Sequence, residues 1–175
     1  LEEVMGKQPQ VLDCALKEGA YDGSDLRTLL AFQIYQLSSK LAAQGRAVLA
    51  RHGSINLPQW RIIRVLGMGV DNASNEVRIA AGIDKGQFSR TLETLIDAGL
   101  VRTEPLASDR RTFAIHLTAE GRALHDEIAP DLQARHNHLL KGLSPAQVRT
   151  LFIVLEKLSE SAADLEFLDA ARSNR

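Results

Sequence analysis

A mostly helical chain with one small β-hairpin is the fold class this sequence predicts, arranged as a winged helix-turn-helix with long dimerisation helices towards its ends. Three observations carry that expectation. Apolar residues recur at helical spacing near both ends, and two short helical segments meet across Gly82-Ile83-Asp84. Two strand-like runs, LVRTE (100–104) and TFAIHL (112–117), then follow with PLASDRR between them. That hairpin poses a question, because it sets Asp109, Arg110 and Arg111 at or just past its tip.

Residues 1–23 contain Gly6, Pro9, Gly19 and Gly23 and read as an arm, with room for a short helix at 11–17. From Ser24 the pattern changes. Leu26, Leu30, Ile34, Leu37, Leu41 and Val48 predict one long helix to about Arg51, with Ser24 as N-cap and Gly53 as stop. Asn56-Leu57-Pro58 opens a second helix, since proline in a first turn sacrifices no hydrogen bond; Gly67 and Gly69 end it. A short helix at Glu76–Ala81 precedes the tight turn. A second at Lys85–Ala98 is capped by Asp84, with Gln87 three residues on, and closed by Gly99. Its apolar face is Phe88, Leu92 and Leu95. After the hairpin, Thr118 caps a long helix that Pro130 is expected to bend. Ser144-Pro145-Ala146-Gln147 forms a capping box for the last helix, whose Val148, Leu151, Leu155, Leu158, Ala162 and Leu165 make a heptad seam. Long periodic helices at opposite ends of a chain favour a partner for their stripes, so a homodimer is expected; an ordinary amphipathic helix on its own core is the plainer alternative. The organisation is then an arm (1–23), a helical dimerisation region (24–56 and 119–170) and a winged helix-turn-helix (57–118).

Composition limits the functions available. In 175 residues, 45% apolar, a core forms without metals or disulfides. The single cysteine, Cys14, has no internal partner, and the opening LEEVMGKQPQ lacks the layout of a signal peptide. No stretch is apolar enough for a membrane span. A cytoplasmic location is the expectation. The net charge of −1 argues against a generic polyanion binder, so nucleic-acid binding must come from local placement of charge. Enzyme motifs are missing: no Gly-rich phosphate loop, nucleophile elbow or C-x-x-C occurs. No cofactor or metal is expected, because His136 and His138 lie on different sides of a helix and His125-Asp126 lacks a ligand one turn away.

The hairpin question is answered by its neighbours. In a helix-turn-helix the second helix enters the DNA major groove and its polar face reaches base edges, while a wing touches the adjacent minor groove. Arg110 and Arg111 stand where a wing presents positive charge, and Asp109 can hold a guanidinium by a charge-assisted hydrogen bond. A solvated turn with a weak ion pair is the plainer alternative.

The run VRIAAGIDKGQFSRTLETLIDAGLVRTEPLASDRRTFAIHLTAEGRAL resembles the MarR family of bacterial transcription regulators. The family's wing signature, D-x-R followed after five residues by L-T, is met by Asp109, Arg111, Leu117 and Thr118. Its recognition-helix pattern is matched by Lys85, Ser89 and Arg90, and LPQWRIIRVL (57–66) is similar to its second helix. The resemblance covers about Leu26 to Leu168. It implies a homodimer on double-stranded DNA, at an inverted-repeat operator, with repression relieved by a small ligand or an oxidant. Within it Lys85 is assigned to phosphate; Gln87, Arg90 and Thr91 to base edges; and Ser89 to either. An ion pair of Arg90 with Glu93 or Glu76 is the competing reading for that residue. Gly86 leaves the first turn bare for close approach.

The oxidant-sensing branch carries a cysteine just before Phe and Tyr in the first long helix. Phe32 and Tyr35 are present here, but Ala31 takes the cysteine's place. That leaves ligand sensing, with Tyr35, His52, Trp60 and Arg64 as candidates to receive a small aromatic or carboxylate effector. For each singly the alternatives are core packing (Tyr35, Trp60) and a helix-end cation (His52). A winged helix used only for protein contacts is the second functional class, and it would favour apolar over basic groups at the wing.

Overall fold

The computed structural model describes residues 29–53, 55–106 and 109–165 of the chain. Its elements are α1 (Leu30–Leu49), a short 3-10 turn (Ala50–His52), α2 (Leu57–Gly67), α3 (Ser74–Ala81), α4 (Lys85–Asp97), β1 (Val101–Leu106), β2 (Asp109–Leu117), α5 (Ala119–Leu140) and α6 (Pro145–Ala163). The fold is therefore mostly α with one antiparallel hairpin. It divides into two compact units, Leu1–Ala129 and Pro130–Arg175, so α5 runs from one into the other.

In the first unit, α1 starts later than its periodicity implied. Leu29 is extended (φ −69°, ψ 110°) and makes no side-chain cap, so the helix begins at Leu30. Ser24 and the arm at 1–23 with Cys14 lie outside the described residues. Only Gly45 and Leu49 of α1 are buried; a Cβ at position 45 would press on the Leu57 side chain at 3.2 Å. α2 starts as expected. Asn56 accepts from Gln59 N–H (3.0 Å), Gln59 accepts from Asn56 N–H (2.9 Å), and Pro58 sits in the first turn. Because α2 lies centrally, packed on α3, α4 and β2, it buries six of its residues, with Ile62 and Ile63 wholly inaccessible.

The helix-turn-helix follows from local chemistry. Asp71 Oδ1 accepts from the backbone N–H groups of Asn72 and Ala73 (2.6 and 2.8 Å), which closes the chain before α3. Gly82 ends α3 in the left-handed region (φ +62°), Ile83 is buried beneath the turn, and Asp84 caps α4 by accepting from Gln87 N–H at 2.9 Å. Val77, Ala81, Phe88, Leu92 and Leu95 face the core, together with Val101, Ala114 and Ile115 of the hairpin. The segment before α3 is also tied to β2 at one isolated bridge. Ala73 bridges Ala114, and Ile115 N–H donates to Asn72 O at 2.8 Å.

The base of the hairpin is locked to α5. Thr118 donates its hydroxyl to Gly99 O (2.7 Å) and accepts from Gly121 N–H (3.0 Å), so one side chain ties the end of α4 to the start of α5. Gly121 is required there, because a Cβ would collide with the carbonyl oxygen of Leu100. Pro130 lies inside α5.

In the second unit, Ser144 and Gln147 make both halves of the expected capping box of α6. The helix ends at Ala163, so Leu165 of the anticipated seam lies past it. No residue of α6 is buried, although Leu151-Phe152-Ile153-Val154-Leu155 is continuously apolar.

Candidate nucleic-acid interface

α4 divides into two faces. Phe88, Leu92 and Leu95 anchor one of them in the core. Of the other, Lys85, Gln87, Ser89, Arg90 and Thr94 are exposed and Thr91 is half-buried. Gln87, Arg90, Thr91 and Thr94 follow the three-and-four spacing that places side chains on one helical face.

The bonding state of each separates the group further. Ser89 donates its hydroxyl to Lys85 O (3.1 Å) and Thr94 does so to Arg90 O (2.9 Å), so both hydroxyl protons are directed at the helix's own backbone until they rotate. Only the Asp84 half of the D-x-x-Q cap forms, which leaves the Gln87 amide free of that role. Among the described residues Arg90 makes no ion pair with Glu93 or Glu76, whose carboxylates were its competing partners. Its guanidinium instead lies beside Gly86, where a Cβ would be 3.8 Å from Nη1. Lys85, Gln87 and Arg90 are thus exposed groups at the start of a capped helix, the end that favours anions.

The hairpin differs from its sequence-based outline. The strands are longer than LVRTE and TFAIHL, and Asp109, Arg110 and Arg111 belong to β2 rather than to a seven-residue connection. Pro105 pairs with Phe113 immediately before a register shift. Proline is tolerated at such irregularities. The register jumps from Pro105↔Phe113 to Leu106↔Asp109, so Arg110, Arg111 and Thr112 have no opposite number on β1. Such a bulge increases local twist and re-aims the strand. At the wing's base, Arg102 pairs with Glu104, and His116 Nε2 lies 3.5 Å from the other oxygen of that carboxylate.

The four ligand candidates are only partly brought together. Trp60 and Arg64, one turn apart on α2, line a groove of about 430 Å3 with Arg61 and Val65 of α2, Met68 just past its end and Ala80 of α3. Tyr35 is 69% exposed on α1 and does not line it. His52 does not line it either; its Nδ1 lies 2.8 Å from Glu127 Oε1, joining the turn after α1 to α5. A residue that sequence reasoning set aside sits behind the groove. His125 is buried, stacks on Trp60 with ring centroids 5.7 Å apart and planes 11° from parallel, and contacts both Arg64 and Asp126. No local signal announces it, because it lies 61 residues from Arg64 in the chain. Among the described residues no group of three or more His, Cys, Asp or Glu side chains can hold a metal ion, and no described helix is long and apolar enough to cross a membrane.

The elements from α2 to β2 form a winged helix-turn-helix, a class of DNA-binding domain. Residues 54–112 match the MarR family model, so this segment is of MarR type, and the chain has the fold of MarR-family transcriptional regulators. A MarR/EmrR family transcriptional regulator from Acinetobacter sp. ADP1 is 28% identical, over 79% of this chain and 98% of that one, with a TM-score of 0.72. NadR in complex with 4-hydroxyphenylacetate is 26% identical, over 78% of this chain and 94% of that one, with a TM-score of 0.63. A mutant MarR from E. coli complexed with operator DNA, at 24% identity, covers 74% of this chain and 92% of its own with a TM-score of 0.64, a likeness of fold.

Proposed function

We propose that the protein is a homodimeric repressor that binds an inverted-repeat operator and releases it on binding a small aromatic carboxylate. The observation that carries the DNA reading is α4, whose capped start presents Gln87 and two cations, Lys85 and Arg90, that are exposed and make no ion pair among the described residues, next to a hairpin that carries Arg110 and Arg111. Lys85 is assigned to phosphate, Gln87, Arg90 and Thr91 to base edges and Ser89 to either, while Asp109, Arg110 and Arg111 address the minor groove. The operator complex of the E. coli relative supports this use of the fold. A winged helix specialised for protein contacts would present apolar side chains on these faces.

Dimerisation is supported by the apolar surface of the helices outside residues 57–118. On α1, Leu30, Ile34 and Leu37 are 43–57% exposed, and α6 buries nothing despite its apolar run. Side chains of that kind require a partner surface. We assign 24–56 and 119–170 to the dimer and 57–118 to DNA. The effector class follows from the Trp60–Arg64 groove, which pairs an aromatic wall with a guanidinium suited to a carboxylate. NadR, bound to 4-hydroxyphenylacetate, supports the same class.

In vitro site selection with the purified protein tests the DNA reading. It is expected to yield an inverted repeat with half-sites about 10 bp apart, at an affinity that falls steeply with salt. Failure to enrich any sequence, or affinity indifferent to salt, refutes it.

A further inference from the structure

We propose that His125 and Asp126 are a positioning pair that presets Arg64 and Trp60 to receive the carboxylate and ring of an aromatic effector. The inference rests on the effector reading above and adds to it the residues that would set the groove's affinity. His125 does not line the groove and acts only through the two side chains that do.

The hydrogen bonds determine the tautomer. Arg64 Nη1 lies 3.2 Å from His125 Nε2, and a guanidinium has only donors, so Nε2 offers its lone pair. His125 Nδ1 lies 2.8 Å from Asp126 Oδ1, so the ring proton sits on Nδ1 and points to the carboxylate. Both ring nitrogens are occupied, and the ring cannot turn without losing both bonds. Its flat face meanwhile packs on the Trp60 indole, so one imidazole fixes the two groove side chains together. Gly67 leaves the space in which the ring lies, since any Cβ there would overlap it.

The choice of partner matters for binding. A carboxylate on Arg64 would neutralise it and compete with an acidic ligand. An imidazole lone pair restrains the guanidinium through one N–H and leaves its charge and remaining N–H groups for the ligand. Among the described residues Arg64 has no ion pair with any acid. The negative charge stands one step back, on Asp126, where it holds the ring. A side chain held in its binding geometry before the ligand arrives loses less freedom on binding.

The test is calorimetric titration of the full chain with benzoate, with 4-hydroxyphenylacetate and with uncharged 4-hydroxyphenylacetamide. His125→Phe keeps the aromatic stack and removes the acceptor, and is expected to weaken binding of the acids about tenfold while leaving the amide unaffected. His125→Gln returns an acceptor carbonyl and is expected to recover most of that loss. Asp126→Ala, a truncation at an exposed side chain, is expected to weaken acid binding severalfold without disturbing the fold. Acid affinity unchanged in both His125→Phe and Asp126→Ala overturns the inference and leaves the effector reading intact. A wild-type chain that binds neither acid overturns the effector reading, and this inference with it.

Discussion

Replacing Gly67 by alanine tests whether His125 is as tightly held as its contacts imply. Gly67 is the last residue of α2, and a Cβ built there would overlap Cδ2, Nε2 and Cγ of the His125 ring. The ring is buried, stacked on Trp60 and bonded at both nitrogens, so it cannot swing aside freely. Forcing a methyl into such a site costs about 1–3 kcal/mol. Displacing the ring from Trp60 forfeits about 0.5–1.5 kcal/mol of stacking. Alanine recovers up to about 1 kcal/mol in helix propensity, less at a helix end. The net expectation is destabilisation of about 0.5–4.5 kcal/mol, seen as a lower urea midpoint at matched protein concentration. The informative part is the cycle. In a His125→Ala background the overlap disappears, so Gly67→Ala should become neutral or mildly stabilising. Equal destabilisation with and without the imidazole would refute the assignment of the cost to His125, and no destabilisation in either background would mean the ring is loosely held.

Other expectations concern the interface and the assembly. Arg90→Ala and Gln87→Ala should each relax preference at particular operator positions by about 1–3 kcal/mol in site-selection profiles, and unchanged profiles would place α4 outside the major groove. Arg110→Ala or Arg111→Ala should weaken binding to A·T-rich flanks without altering the central preference, and Asp109→Asn should cost less than either; altered central bases would mean the two elements are exchanged. Asp84→Ala removes the cap on Gln87 N–H and should cost about 1 kcal/mol of stability by urea denaturation. Deleting residues 144–175 should give monomers or aggregate by light scattering, and a stable soluble monomer of the full chain would refute the dimer.

Caps and glycines made much of the fold legible. Asn56, Asp84 and Ser144 each accept the backbone N–H that their position implied, and Gly82 and Gly99 adopt positive φ where helices must stop. These are local interactions, decided within four residues, so the sequence alone contains them. Boundaries that depend on a distant partner were read less well. Periodicity alone carries α1 back to Ser24, yet Leu29 is extended and the helix begins at Leu30. The hairpin is longer than its sequence outline, because Pro105 pairs with Phe113 and Leu106 with Asp109, while Arg110 and Arg111 lie in the irregularity between those pairs. For the candidate sites, Gln87 and Arg90 could be placed on one exposed face because helical spacing puts them there, whereas Lys85 is exposed because it opens the helix. Trp60 and Arg64 share a groove for the same reason. Tyr35 and His52 suit the same ligand chemistry, but nothing in the chain's spacing brings them near, and neither lines the groove.

His125 marks the limit of such reading, and it also shows how the two proposed sites are connected. Its relation to Trp60 and Arg64 exists only once α2 and α5 have packed. α2 has two employments. Ile62, Ile63 and Leu66 make the core on which α3 and α4 rest, while Trp60 and Arg64 face the groove and His125. The residues that would sense an effector and those that seat the recognition helix are therefore interleaved along eleven residues of one helix. A helix is stiff over that length, so a ligand that shifted Trp60 or Arg64 would be coupled to Ile62 and Ile63 through the same backbone. α5 provides the second restraint, since Thr118 and Gly121 pin its start to the turn that closes α4 while His125 contacts α2 one turn further on. On the proposed reading, effector binding acts on α4 and the wing through these two attachments. Coupling of that kind needs only a difference in ligand affinity between DNA-bound and free arrangements.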